Sequence, residues 1–448
     1  MEFLEHIAMP TITSSKIWAL AWPMILSNIS VPLLGLVDTA VLGHLPSPDY
    51  LAAVAVGSAI IAIIYWGFGF LRMGTTGATA NAFGTQYTDH TAHIFFSSCL
   101  LALGIAFLIT LFHPWLFYVA LWSMNVDQSI NLLADEYLSI RLLSAPAALL
   151  NFVIIGWMVG VQKPRLALMT VVLCNGTNIL LDLYFVIFLG MTSNGVAWAT
   201  VIAEYASCVF GLWLVMRHIN MRFNKDVWRE AFRVNALLVL LKSNAFLFIR
   251  TIALLLTMAY FTKQGATYGT VILAANALLM QLAMLVSYGL DGFANAAEAL
   301  VGEAIGKRRQ EDLYVSMRGT AKASLWVAAI FSTLLWLGQS SLIHLLTTQQ
   351  AIIEAANTYF VYVIVFPIVA VWSFWLDGVF IGAGRNHAMM WSMLFSSALV
   401  FVGLLNALEA LGNHGLWLAY LGFITARGLS LGVISYRYTK LNAWFKSS

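Results

Sequence analysis

Two aspartates set in otherwise apolar stretches are the residues of this chain best suited to chemistry: Asp38 in GLVDTAVLG (35–43) and Asp182 in NILLDLYFV (178–186). Asn178 lies four residues before Asp182, one helical turn away on the same face. Two carboxylates in a poorly solvated pocket cannot both ionise cheaply, because loss of water and like charge oppose the second ionisation. A neighbouring amide or hydroxyl can hydrogen-bond either charge state. Such a pair suits loading and releasing a proton, or holding Na⁺ between hard oxygens. The plainer reading of the same residues is polar contact between helices.

Groups of this kind need helices to hold them at a common depth, and composition supplies the helices. The chain has 448 residues, 61% hydrophobic and 10% charged, with a mean hydropathy of +0.83. Soluble domains carry about 25% charged residues, so this is an integral membrane protein. Its net charge of +3 gives no footprint for nucleic acid. Cys99, Cys174 and Cys208 are isolated within apolar runs, against a disulfide framework. The opening MEFLEHIAMPTITSSK lacks the basic-then-apolar order of a cleavable signal.

A spanning helix needs about 20 apolar residues. Twelve segments qualify: 17–44, 51–83, 92–120, 132–161, 166–190, 195–217, 235–262, 269–305, 319–346, 352–382, 388–411 and 415–436. Basic residues gather at Lys16, in 162–165, 217–233 and 307–322, at Arg385 and in the tail, whereas the alternate loops contain a single one, Lys263. The positive-inside rule then places both termini in the cytoplasm of a cell whose inner membrane holds the protein.

The chain repeats itself. GWMVGVQKPRLAL (156–168) aligns with GVFIGAGRNHAMM (378–390) at an offset of 222, and MGTTGATANAFG (73–84) aligns with NAAEALVGEAIG (295–306). Pro146 matches Pro367, and NGVAW (194–198) resembles NHGLW (413–417). The expected fold is all-α, with twelve transmembrane helices in two pseudo-symmetric six-helix lobes. Residues 1–16 form a cytoplasmic segment, 17–217 the first lobe, 218–234 a basic linker, 235–436 the second lobe and 437–448 a tail. Parallel repeats of this kind imply a pseudo-twofold axis along the membrane normal and a central cavity, an alternating-access design.

Depth counting then groups the polar residues. Asp38 lies six residues before His44, about 9 Å below the outer end of the first span. Asp182 precedes Gly190 by eight residues on the fifth span, and the sixth span, descending from Gly195, brings Thr200 to a similar level. Asn151 on the fourth span is a further candidate. The second lobe has no equivalent, since the repeat maps Asp38 near Tyr260 and Asp182 near Leu404. Pro23 and Pro32 interrupt the first span; each removes a backbone donor, and Pro23 is read as a hinge and Pro32 as a fixed bend. In the second lobe, Arg250 is expected to pair structurally with Asp291 and Glu298 of the eighth span, while Glu303 and Asp377 sit close enough to the cytoplasm for water, Lys307 or Arg385 to compensate them. Aromatic residues and methionines such as Tyr65, Met280, Trp372 and Trp375 could line a cavity for flat cations.

LDGFANAAEALVGEAIGKR (290–308), FIRTIALLLTMAYFTKQGA (248–266), GLVDTAVLGHL (35–45) and NILLDLYFV (178–186) resemble the DinF-type branch of the multidrug and toxic compound extrusion (MATE) family. The resemblance covers essentially the whole chain. It implies an efflux antiporter for small amphipathic, often cationic compounds, with no cofactor and H⁺, or alternatively Na⁺, as coupling ion. It puts cation coupling on Asp38, Asn178 and Asp182, with Asn151 and Thr200 beside them, and bending of the first helix on Pro23. Sodium-coupled relatives use a glutamate on helix 7 with an aspartate on helix 10. Asp377 matches the latter, but Arg250 stands in the former's place, which favours a proton. A lipid-linked saccharide flippase of the same superfamily would be expected to carry more cavity cations, here Arg141 and Arg250. An intramembrane metalloprotease would need H-E-x-x-H and an intramembrane aspartyl protease G-x-G-D, and both are missing from the sequence. The expected partners are the bilayer and the transported compounds, with no nucleic acid, and the chain is expected to be monomeric.

Overall fold

The computed structural model describes residues 13–42, 47–86, 88–124, 128–219 and 233–445, and side chains at 31–34, 36, 38, 39, 42, 48, 88, 123, 124, 128, 129, 219 and 234–236 lie outside the described ones. Every regular element among the described residues is helical. The first span is α1 (Ser14–Leu42), the second is α2 (Pro48–Gly67) with α3 (Phe70–Gly84), and the third is α4 (Thr88–Met124). The fourth consists of α5 (Gln128–Leu142) and α6 (Ala145–Gly160), the fifth of α7 (Pro164–Asp182) running into a π-helical turn, Leu183–Phe188, and the sixth of α8 (Ser193–Ile219). Then come α9 (Val234–Thr267), α10 (Thr270–Gly306), α11 (Gln310–Leu346) and α12 (Gln350–Gly382). The eleventh span joins α13 (Asn386–Phe395), a second π-helical turn (Ser396–Phe401) and α14 (Val402–Ala407), and the twelfth is α15 (Asn413–Lys440). Ten of these spans are long and apolar enough to cross a bilayer among the described residues, and the α5–α6 pair makes eleven. The 29-residue α1 is the twelfth helical segment.

The fourth span, expected over 132–161, is made of two helices. It bends by 52° between α5 and α6. Pro146, one of the first residues of α6, has no N–H to carry the helical ladder across the joint and disfavours helical backbone before it. Side chains reach the carbonyls at the joint: Ser144 Oγ donates to Arg141 O at 2.8 Å and Tyr205 OH to Leu143 O at 2.9 Å. Within a membrane such side-chain contacts are what permit a break.

The chain forms two compact units. One runs from Leu26 to Lys242; the other takes the chain up to Ile25 together with Ser243–Ser448. The division therefore falls inside α1, whose Ile17, Leu20 and Ala21 are buried against Phe293, Ala296 and Leu300 of α10 and Val327 of α11.

The internal repeat is visible in packing. In the first unit a Cβ at Gly156 would stand 2.5 Å from Arg72 O, and one at Gly160 would stand 2.6 Å from Thr79 Cβ. In the second, a Cβ at Gly378 would stand 2.2 Å from Ala294 O and one at Gly382 2.5 Å from Glu298 O. Each G-x₃-G face thus presses directly on a neighbouring helix, α6 on α3 and α12 on α10. Small residues spaced by four allow such close approach where no hydrophobic force drives helices together in lipid. The same 222-residue offset that relates the glycines also relates Arg72 to Ala294.

Candidate functional site

Asp182 is the last α-helical residue of α7, fully buried, and the backbone widens into the π turn immediately after it. Single π turns in helices often accompany functional positions. One turn earlier Asn178 is also fully buried. Its amide satisfies its neighbours when Nδ2 donates to Asp182 Oδ2 at 3.0 Å and Oδ1 accepts from Thr200 Oγ1 at 3.0 Å and Thr200 N at 3.2 Å. The single proton of the Thr200 hydroxyl can alternatively turn to Val196 O at 3.0 Å. Asn178, Asp182 and Thr200 are therefore brought together from α7 and α8.

The side chain of Asp38 lies outside the described residues, but its backbone level is fixed by its neighbours. Lower on the same two helices, Asn175 Nδ2 donates to Ser30 Oγ at 2.9 Å and to Ser30 O at 3.4 Å. From that tie, Asp38 is eight residues further along α1 and Asp182 seven further along α7. At about 1.5 Å per residue the two parallel helices reach their aspartates within about 2 Å of the same height. Val37 and Val41, which flank Asp38, pack in one cluster with Val186, Val196 and Ala197. Val186 lies one turn beyond Asp182, and Val196 one turn before Thr200.

Asn151 is placed elsewhere. Its Nδ2 donates to the backbone oxygen of Glu204 at 3.0 Å, one turn below Thr200 on α8. There a second polar group occupies the first unit: Arg141 Nη2 meets Glu204 Oε1 at 3.3 Å, with Arg141 Nη1 donating to Ser144 Oγ at 3.0 Å. Tyr65 OH closes this group over Ser144 and Arg141 O at 3.4 and 3.5 Å.

In the second unit, Arg250 of α9 hydrogen-bonds Asp377 Oδ2 of α12, and Arg427 Nη2 of α15 reaches the same oxygen at 2.7 Å. All three are buried. The partner found for Arg250 is thus Asp377, which the sequence reading assigned to water or Arg385. Asp291 and Glu298 lie on α10, the first half-buried and the second buried. Arg385 instead donates to Ala443 O and Trp444 O at 2.8 and 3.2 Å, and Glu303 pairs with Lys307 and with Lys16 of α1. Sequence alone does not disclose this centre of the second unit, because one carboxylate serves two arginines from helices 127 and 50 residues away, and Arg427 looks unremarkable in ITARGL. Trp372 and Trp375, read as possible cavity aromatics, line an apolar groove of about 810 Å³ between α12 and α15.

The MatE family model matches residues 23–184 and 236–405. The chain belongs to this family. The DNA damage-inducible protein F of Escherichia coli (strain K12) is 41% identical over 453 residues, spanning all of this chain and 97% of that protein. A probable multidrug resistance protein NorM from Acinetobacter baylyi is 24% identical, with 94% of both chains covered. A crystal structure of a MATE in complex with MaL6 superposes with a TM-score of 0.84 at 21% identity over 97% of both chains. The resemblance in the motifs of the first, fifth and eighth spans is thereby shown to reflect family membership, and the protein is a multi-pass membrane transporter of the DinF-like MATE group rather than an enzyme.

Proposed function

We propose that this MATE transporter is a multidrug efflux antiporter that exports small amphipathic, often cationic compounds by alternating access, driven by inward proton flow through Asp38 and Asp182. The observation that carries the proposal is the Asp182–Asn178–Thr200 cluster: a fully buried carboxyl that accepts from the Asn178 amide, which Thr200 holds in turn. A proton loaded on Asp182 removes the charge that this buried site must otherwise hold. Asp38, at the same height on α1, is the second carboxylate of the pair, and Pro23 is the hinge of that helix. Pro23 leaves Ala19 O without its helical donor, and the boundary between the two compact units falls two residues beyond it.

Sodium is the alternative coupling ion, because Asp, Asn and Thr oxygens also suit a hard cation. Its place in the second lobe is the less favoured, since two guanidinium groups already occupy Asp377 Oδ2. Arg141 and Arg250, the cations a lipid-linked saccharide flippase would present, are each tied to a carboxylate. The protein is read as a monomer of the inner membrane with both termini cytoplasmic, no cofactor and no nucleic-acid partner. Proteoliposomes given a pH step in sodium-free buffer test the coupling: the proposal expects substrate movement, and transport driven only by a Na⁺ gradient would refute it.

A further inference from the structure

The Arg141–Glu204 pair of the first unit, its arginine buried and its glutamate half-buried, takes no part in the Asp182 cluster, yet two of its polar atoms and one of the neighbouring Asn151 lack partners. Arg141 Nε, Glu204 Oε2 and Asn151 Oδ1 are all buried without a hydrogen bond. A well-formed buried Arg–carboxylate pair is a two-pronged fork at about 2.7–2.9 Å. Here a single contact of 3.3 Å joins two side chains that are only 8% and 15% exposed. A purely structural ion pair compensates its burial by satisfying its remaining atoms; this one leaves open an acceptor on Glu204, and another on the asparagine that holds Glu204's own backbone oxygen.

We infer that Glu204 is a further proton-carrying residue of the transport cycle, lying one helical turn inward from Thr200 and receiving its proton on Oε2. The inference rests on the proton coupling proposed above. A proton on Oε2 turns that open acceptor into a donor. In the transfer the O–H bond of an Asp182 carboxyl, or of hydronium, breaks and an O–H bond forms at Glu204 Oε2. On release that bond breaks, water takes the proton, and the carboxylate regains Arg141, which keeps its own protons throughout. The Tyr65–Ser144–Arg141 contacts at the bend of the fourth span hold the guanidinium ready as counter-ion.

The other groups facing this carboxylate are consistent with that role. Glu204 projects from α8, which packs against α2, α5, α6, α7 and the π turn after α7. Among these, α5 contributes Arg141 and, beside it, Tyr137; α2 contributes Tyr65, and α7 contributes Cys174. Along α6 there is no titratable side chain, and on the π turn Tyr184 is half exposed. On α8 itself Tyr205 and Cys208 are neighbours. Arg141 is thus the one cation in this set, and Glu204 the carboxylate it serves.

Glu204→Gln tests the inference in the purified full-length transporter, with rhodamine 6G as probe. The expected result is that the variant binds the dye but loses dye export driven by a pH step. The acid-minus-neutral infrared difference spectrum should also lose a protonated-carboxyl C=O band, one that shifts in Asn151→Leu. A merely structural role moves neither the band nor pH-driven export once the protein is folded, and either result overturns the inference. Should Glu204→Gln fail to fold, the double variant Arg141→Met/Glu204→Gln removes both charges together. It is expected to be folded and inactive, and pH-driven export by it would overturn the inference. A wild type that exports dye under no pH step refutes proton coupling itself, whereas a coupled wild type with a fully coupled variant refutes only Glu204.

Discussion

Replacing Asp377 by Asn removes the one carboxylate that two buried guanidinium groups share. Arg250 and Arg427 face each other closely enough to repel, and Asp377 Oδ2 accepts from both. Breaking a buried ion pair by removing one partner costs about 3–5 kcal/mol, and here two charge-assisted hydrogen bonds go together. Arg427→Met removes one such bond, about 1.5–3 kcal/mol, and relieves the repulsion between the arginines, while the Arg250–Asp377 pair stays intact. The expected order is therefore Asp377→Asn far below Arg427→Met, with Arg427→Met closer to wild type. Thermal unfolding in detergent, followed by intrinsic fluorescence, reads the order directly, and for a unit of this size 3–5 kcal/mol shifts the midpoint by on the order of 10 °C. An Asp377→Asn protein as stable as Arg427→Met would refute the reasoning. Full stability of Asp377→Asn with loss of sodium-dependent transport would instead make Asp377 a cation ligand.

Three other outcomes are expected. Ser30→Ala and Asn175→Ala should each weaken the tie between α1 and α7, and a double-mutant cycle should return a coupling of about 0.6–2 kcal/mol, the range for hydrogen bonds between membrane helices; zero coupling would remove the tie as the feature that sets Asp38 level with Asp182. Gly378→Leu and Gly156→Leu should both abolish folded protein on size-exclusion chromatography, because each side chain would enter the backbone of the facing helix; normal yield of either would contradict the repeat packing. Pro23→Ala, by restoring the donor to Ala19 O, should leave membrane expression intact and reduce transport, and wild-type transport rates would remove the hinge.

How far the sequence alone leads depends on which coordinate a residue's role needs. Hydropathy and loop charge report depth, so the spans and the common level of Asp182, Asn178 and Thr200 were legible, as was the α-helical spacing that puts Asn178 under Asp182. The 222-residue repeat was legible because close helix contact admits only glycine at 156, 160, 378 and 382. Azimuth and partner choice were not. Depth alone could not distinguish Asn151 beside Asp182 from Asn151 beside Glu204, since rotation of the fourth span about its axis, reset by the 52° bend, decides between them. Nor does composition reveal that Arg427 and Arg250 converge on Asp377 from separate helices. The π turn that begins one residue after Asp182 has no sequence signature in LYFVIF.

The central claim is that the carboxylates of the first unit carry the coupling ion, and Asp182→Asn measures it most directly. Reconstituted in sodium-free liposomes, the variant is predicted to lose transport driven by a pH step while still exchanging labelled for unlabelled substrate in the absence of any gradient, because asparagine keeps the hydrogen bonds of the acid but cannot release a proton. Undiminished pH-driven transport by Asp182→Asn would contradict the account.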